Sequence, residues 1–140
     1  MKIPVSWLKD FVDLENITVN RLCEALVSVG FEVEEVIELG REISNVVVGE
    51  IISMEKHPDA DKLKVCRVDV GKEVLQIVTA ATNVKTGDKI PLALNGATLA
   101  GGTVIKNGKL RGVASNGMMC GGEELGICED QYAGASVDGV

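Results

Sequence analysis

The segment at residues 57–71, HPDADKLKVCRVDVG, constrains the fold more than any other part of the chain. It opens as a turn, because proline disfavours helical backbone in the residue before it and aspartate side chains bond back to nearby backbone N–H groups. It continues as a strand whose successive side chains alternate between two sides. The alternation predicts Arg67 on one side, with Leu63, Val65 and Asp69. It predicts Lys64 on the other, with Cys66, Val68 and Val70.

Further short strands are predicted on both sides of this segment. Residues 45–54 form a β-branched run in which Gly49 permits a bend, and residues 73–80 and 89–94 form two more strands. Asn95 with Gly96, and Asn107 with Gly108, are the sharpest hairpin signals in the chain, and the second is expected to join residues 103–106 to residues 109–113. Many short strands with regular turns and little helix predict a mainly β fold, a five-stranded barrel of the OB type.

Residues 1–39 are predicted to form a separate, partial α/β leader, followed by a linker and a second domain at residues 40–140. Ser6 is expected to cap a short helix and Thr18 a second one, which Gly30 ends. An extended segment is predicted at residues 31–39. Trp7 and Phe11 are expected to pack in a core.

The distribution of charge favours an anionic partner although the net charge is −7. Residues 56–111 carry ten Lys or Arg and five Asp or Glu, whereas the segments before and after are acidic. The longest uncharged run is too short and too polar to cross a membrane, and the chain is expected in the cytoplasm. Four cysteines without a CxxC pair and one histidine predict no metal site, and the thiols are expected to be buried and reduced. No catalytic constellation is visible.

An OB-fold binds its ligand on the second and third strands, between the loop that joins strands one and two and the loop that joins strands four and five. These walls correspond to residues 56–64 and to residues 106–111 with 115–118, and Lys85 and Lys89 add charge. Residues 41–131 contain no Phe, Trp or Tyr. The barrel therefore lacks stacking platforms, and recognition of phosphates, sugar hydroxyls and shape fits a folded RNA. The charges could instead belong to a solvated hairpin, and Gly101, Gly102, Asn116 and Gly117 to simple turns.

Three strings carry a resemblance to a known family. HPDADKLKVCRVDVG, IVTAATNVKTGDKIPLAL and KLRGVASNGMMCGGEELG resemble the tRNA-binding OB-fold domain of aminoacyl-tRNA synthetase subunits and free-standing tRNA-binding proteins. MKIPVSWLKDFVDL and TVNRLCEALVSVGFEVEEV are similar to the N-terminus of the bacterial phenylalanyl-tRNA synthetase β subunit, in which such a leader precedes the tRNA-binding domain.

The resemblance implies that the chain is an N-terminal fragment of this β subunit. Its role would be to bind tRNA while the intact α2β2 ligase, with its α subunit, ATP and magnesium, joins phenylalanine to tRNA. The fragment itself is expected to be non-catalytic, to hold no cofactor or metal, and to bind neither DNA nor membranes. The residues expected to contact RNA are Lys56, His57, Lys62, Lys64, Arg67, Asn83, Lys85, Lys109, Arg111, Ser115, Asn116 and Met118.

Two alternatives remain open from the sequence, a free-standing dimeric tRNA-binding protein and a scaffold barrel that contacts no RNA. Lys62 and Lys64 are expected on the ligand side of their strand and Arg67 elsewhere. The sequence departs from the family pattern at Thr79, where Cys is common, and at Gly121, where Ser is common. Residues 131–140 end in small residues with no terminating element, which favours a fragment of a longer protein.

Overall fold

The computed structural model describes residues 1–127 and 139–140, in two compact units, Met1–Glu38 and Leu39–Val140. Helices α1 (Val5–Leu8) and α2 (Val19–Ser28) belong to the first unit. Pro4 immediately precedes α1, so the predicted cap at Ser6 is wrong, because Ser6 already lies inside the helix. Thr18 caps α2 as predicted, and its hydroxyl accepts a hydrogen bond from the Arg21 N–H at 3.3 Å.

The end of α2 and the segment after it depart in part from expectation. Gly30 has a φ of 95° and its N–H donates to the Val27 carbonyl, which ends the helix as predicted. Residues 31–38 belong to no strand, so the extended segment predicted at residues 31–39 does not pair with another strand. No residue of Met1–Glu38 is buried, and Trp7 and Phe11 are 66% and 85% exposed, so the core packing expected for these two rings is wrong.

The second unit is mainly β. Its strands are β1 (Ser44–His57), β2 (Ala60–Asp69), β3 (Val74–Thr79), β4 (Lys89–Thr98), β5 (Gly108–Leu110), β6 (Val113–Ser115) and β7 (Met118–Met119). A short 3-10 helix at Ala100–Gly102 follows β4, and helix α3 (Gly122–Leu125) follows β7.

Five strands form one antiparallel sheet in the order β3-β2-β1-β4-β7, and β5 pairs with β6 in a separate hairpin. The core lies on the side of the sheet that carries Ile51, Cys66, Val68, Ile77 and Leu92, all fully buried. The predicted mainly β, OB-type fold is thereby confirmed. Gly49 is required for packing, because a Cβ there would lie 2.5 Å from Val68 Cγ1.

Both predicted Asn–Gly hairpins are wrong. Asn95 and Gly96 lie within β4, where Gly96 has a φ of 82° and the register with β1 shifts, so this pair forms an irregularity in the strand rather than its end. Gly108 begins β5, and the hairpin turn falls three residues later, at Arg111 and Gly112.

In the described part of the chain no helix is long and apolar enough to cross a membrane. Cys66 and Cys120 are buried as expected, whereas Cys23 is half-buried. Cys128 and most of residues 131–140 lie outside the described residues.

Candidate nucleic-acid interface

The first predicted wall is a tight hairpin rather than a loop. β1 and β2 are joined by a two-residue turn at Pro58 and Asp59, so the basic residues expected on a loop lie on the strands themselves. Lys56 of β1 is the direct partner of Lys64 of β2. The register shifts between this pair and the next, which leaves Lys62 in an irregular part of β2. Strand alternation therefore does not define the side on which Lys62 lies.

Beyond Lys64 the alternation of β2 is regular and agrees with the sequence prediction. Cys66 and Val68 are fully buried, whereas Arg67 and Asp69 are exposed. Lys64 lies on the same side of β2 as Cys66, and its charge lowers the pKa of the Cys66 thiol against the larger, raising effect of burial. Lys64 and Arg67 therefore lie on opposite sides of the strand.

The second predicted wall is the β5–β6 hairpin. Leu110 pairs with Val113 across a turn in which Arg111 and Gly112 both have positive φ, 49° and 85°. Two positive φ values are characteristic of a type I′ turn, whose first position favours Asn, Asp or Gly. An arginine there costs about 1–2 kcal/mol. Lys109 and Arg111 are both exposed on this hairpin.

His57 joins the two hairpins. The ring is 5% exposed, and its Nε2 lies 3.0 Å from the carbonyl oxygen of Leu110. The other ring nitrogen, Nδ1, accepts a hydrogen bond from the Asp59 N–H at 3.1 Å. Both nitrogens are therefore used inside the protein, and the bond to Leu110 brings Lys109 and Arg111 towards the hairpin that carries Lys56 and Lys64. We call the set Lys56, Lys64, Lys109 and Arg111 the basic hairpin surface.

Three other predicted contact residues, Ser115, Asn116 and Met118, lie between the end of β6 and the start of β7. The Ser115 hydroxyl is buried; it accepts from the Val78 N–H and donates to the Gly117 carbonyl, both at 3.0 Å. The Asn116 N–H donates to the Gln76 carbonyl at 2.9 Å. Met118 is half-buried in β7, opposite Ala93. Ser115 and the Asn116 backbone join the end of β6 to β3, a role that their turn-like sequence did not reveal.

Asn83 and Lys85 lie in the segment between β3 and β4. The Asn83 side-chain amide donates to the Val140 carbonyl at 2.6 Å and accepts from the Val140 N–H at 3.2 Å. Lys85 begins a turn in which its N–H bonds to Asp88, and Lys89 just after it pairs with Glu50. Glu50 lies six residues before Lys56 on β1, a separation of about 20 Å.

A groove of about 820 Å³ lies beside the basic hairpin surface. Leu63 of β2 and Lys109 and Leu110 of β5 contribute to its lining, together with Lys106, which is absent from the predicted contact set. A Cβ at Gly121, also in this lining, would clash with the Gly139 carbonyl, so a serine would not fit here without movement of the backbone.

The charge of this region is not neutralised by close carboxylates within the described residues. Among residues 1–127 and 139–140 the one ion pair is Arg21 with Glu24, at 3.8 Å, in the first unit. The same residues contain no group of three metal-ligating side chains. Within the described residues the cations of this surface are therefore held in no ion pair, which suits a polyanion.

Comparison with known protein families decides the family to which this chain belongs. Residues 46–138 match the family model described as "Putative tRNA binding domain". The chain belongs to this tRNA-binding domain family. The match contains the β1–β2 hairpin, the β5–β6 hairpin and every residue predicted to contact RNA.

The relatives of this tRNA-binding domain protein are similar over nearly all of its length. It is 56% identical over 133 residues to the phenylalanine–tRNA ligase β subunit of Clostridium acetobutylicum, covering 94% of this chain and 17% of that subunit. Identity to the Clostridium tetani subunit is 52% over 141 residues, covering 100% and 17%. The chain thus spans about a sixth of the length of these subunits. A MetRS-related protein from Pyrococcus horikoshii superposes with a TM-score of 0.44 at 29% identity, over 54% of this chain and 65% of that one, a similarity too low to add to the assignment.

Proposed function

We propose that the unit Leu39–Val140 binds tRNA through the basic hairpin surface. The observation that carries this proposal is the His57–Leu110 contact, which brings lysines and an arginine from two distant hairpins to one place. The family match supports the same ligand, and so does the lack of ion pairs at these cations within the described residues.

The mode of binding follows from the side chains available. Without aromatic residues in residues 41–131 the surface has no stacking platform for bases, and its lysines and arginine reach phosphates. Binding is therefore directed at the backbone and shape of a folded RNA, and it weakens as salt rises.

The similarity to the ligase β subunits extends the proposal to the intact enzyme. The chain would be the tRNA-binding module of a cytoplasmic phenylalanine–tRNA ligase in which an α subunit, ATP and magnesium take part in the aminoacylation of tRNA. Residues 1–39 would form a leader distinct from this module. Catalysis would lie outside this chain, which alone would not attach phenylalanine to tRNA.

A salt titration of tRNA binding tests the proposal. The logarithm of the affinity should fall linearly with the logarithm of the salt concentration, between about 50 and 200 mM, by roughly 0.7–0.9 for each phosphate contact. A double variant, Lys56→Ala with Lys64→Ala, should lose close to two contacts from this slope. Lys72→Ala is the matched control, because Lys72 is exposed at the opposite end of β2.

Three results would contradict the proposal. A scaffold barrel would not bind tRNA at any salt concentration. If Lys72→Ala lowered the salt slope by half as much as the double variant, each lysine would contribute equally wherever it lies, which would mean that binding uses no defined surface. Measurable attachment of phenylalanine by the purified chain would refute its non-catalytic role.

A further inference from the structure

The groove of about 820 Å³ is continuous with the basic hairpin surface. Lys109 belongs to that surface and also lines the groove, and Leu110, whose carbonyl bonds to His57, lies next to it in the lining. Lys106 of the same lining adds a second positive charge. Within the described residues neither lysine is held in an ion pair, so both are available to a phosphate.

The backbone around Lys106 is fixed to β4. Ile105 exchanges two backbone hydrogen bonds with residues 96–97, at 2.7 and 2.8 Å. On the other side of Lys106, the Asn107 N–H donates to the side-chain oxygen of Asn95 at 3.0 Å. The lysine therefore extends from a backbone that is held on both sides.

Apolar side chains from distant parts of the chain line the same groove, among them Leu63, Val104, Leu110 and Met118, which we call the apolar lining. Val104 and Leu110 are 51% and 44% exposed, which leaves apolar surface open in the groove. The volume of the groove lies in the range of about 300–1,000 Å³ found for sites that hold small ligands. Apolar side chains, like aromatic ones, can enclose a nucleobase that has left its helix.

We propose that this groove binds one unpaired nucleotide of the RNA, with Lys106 and Lys109 at its phosphate and the apolar lining around its base. This inference rests on the proposed function, because it adds a subsite to the surface assigned to tRNA. It adds the recognition of a single base to the binding of backbone and shape. A folded RNA supplies such nucleotides in its loops and bulges.

The charges in the lining orient the nucleotide. Glu123 and Glu124 of α3 also line the groove, and Glu124 Oε2 accepts from the Gly121 N–H at 2.8 Å. A phosphate is attracted by the two lysines and repelled by these carboxylates. The phosphate therefore lies at the lysines, and the uncharged base occupies the rest of the groove.

The test uses RNA duplexes of one sequence in three forms, as competitors of labelled tRNA for the full chain at fixed salt. The forms are a fully paired duplex, a duplex with one bulged nucleotide, and a duplex whose bulge lacks its base. The bulged duplex should bind about five- to thirtyfold more tightly than the paired one, the lower part of the range for one base held on an aromatic side chain. The bulge without a base keeps its phosphate only, so it should recover little of this gain.

Variants of the groove locate the effect. A double variant, Val104→Ala with Leu110→Ala, should lose most of the preference for the bulged duplex and bind the paired duplex as the wild type does. Val48→Ala is the matched control, because Val48 is 69% exposed on β1 and does not line the groove. Lys106→Ala should reduce the salt slope by roughly 0.7–0.9 with the bulged duplex and leave it unchanged with the paired one. Far-UV circular dichroism should show that each variant is folded.

The outcomes separate this inference from the proposed function. If tRNA binds with the expected salt slope but the three duplexes compete equally or not at all, this inference alone fails. It also fails if the bulge without a base binds as tightly as the complete one, or if the double variant keeps the preference, because the groove then does not hold the base. If neither tRNA nor any duplex binds at any salt concentration, the proposed function fails and the inference fails with it.

Discussion

Lys56 and Lys64 are direct cross-strand partners at the end of the β1–β2 hairpin. Like charges in directly opposite positions destabilise an antiparallel ladder, because their Cβ atoms are only about 4.5–5.5 Å apart. Within the described residues no carboxylate lies within ion-pair distance of either lysine. The pair therefore suits an external anion, which would relieve the repulsion that the fold leaves in place.

The first prediction compares the two sides of β2. Lys64→Ala and Arg67→Ala are made separately, and tRNA binding is measured as a function of salt for each. Lys64→Ala should reduce the salt slope by roughly 0.7–0.9 and Arg67→Ala should change it little, because Arg67 lies on the opposite side, opposite Gln76. Urea unfolding should show stability changes below about 0.5 kcal/mol for the exposed Arg67. Loss of slope in Arg67→Ala alone would place the RNA on the Arg67 side.

The second prediction concerns the hairpin turn at Arg111. With a φ of 49°, this position strains an arginine and suits an asparagine, so Arg111→Asn should stabilise the chain by about 1 kcal/mol. The same change should weaken tRNA binding, because it removes a charge from the basic hairpin surface. Thermal unfolding and a binding titration measure the two effects. Arg41→Asn, at an exposed residue without positive φ, is the control and should leave stability unchanged; a parallel gain there would disprove the explanation by strain.

The elements predicted well from the sequence are those in which neighbouring residues decide the outcome. The burial of Cys66 and Val68 and the exposure of Arg67 follow from strand alternation, and the Thr18 cap follows from its own side chain. The first hairpin is misplaced because Asn–Gly signals a positive φ, which Gly96 adopts at a shift of register inside β4. Gly108 has no positive φ, and the second turn uses Arg111 and Gly112 instead. The ladder continues past Gly96 because its N–H donates to the Ile105 carbonyl, nine residues away.

The candidate site is only partly predictable from the sequence, because its arrangement depends on contacts between residues that are far apart in the chain. Lysines and arginine indicate an anion-binding region from their charge alone, but their grouping involves contacts between residues distant in sequence, such as that between His57 and Leu110, 53 residues apart. Ser115 and Asn83 looked like ligand groups, because a hydroxyl and an amide suit RNA. Their partners, Val78 and Val140, are 37 and 57 residues away, and no local pattern indicates them.

The third prediction follows from the buried hydroxyl of Ser115. Ser115→Ala should lower the free energy of unfolding by about 1–3 kcal/mol, because it leaves the buried Val78 N–H without its acceptor. Chemical denaturation of the purified chain measures this loss. Thr86→Ala, in an exposed turn, is the matched control and should stay within about 0.5 kcal/mol of the wild type. If Ser115→Ala were as stable as the wild type but bound tRNA more weakly, Ser115 would contact RNA directly, as predicted from the sequence.

The fourth prediction concerns the buried thiols Cys66 and Cys120. Burial raises the pKa of both above the ordinary value of 9.0; the charge of Lys64 opposes the shift at Cys66, and a backbone hydrogen bond involving Ala93 opposes it at Cys120. The unfolded chain therefore loses these protons at a lower pH than the native chain. The stability contributed by the neutral thiols is fully present below pH 9.0. It is lost as the pH rises through the raised pKa values of the two thiols in the native chain.

Urea unfolding at about pH 7.5 and about pH 10.5 measures this loss, because the interval spans the ordinary thiol titration. Cys66→Ala and Cys120→Ala each leave a small cavity, which lowers the free energy of unfolding by the same amount at both pH values. This cost therefore cancels when the free energy at one pH is subtracted from that at the other. Each variant should therefore lose less stability than the wild type on going to alkaline pH. Cys23→Ala is the control, because Cys23 lies in the first unit and belongs to neither core cluster. An alkaline loss of the same size in all four proteins would mean that other groups, such as lysines and the tyrosine, account for it.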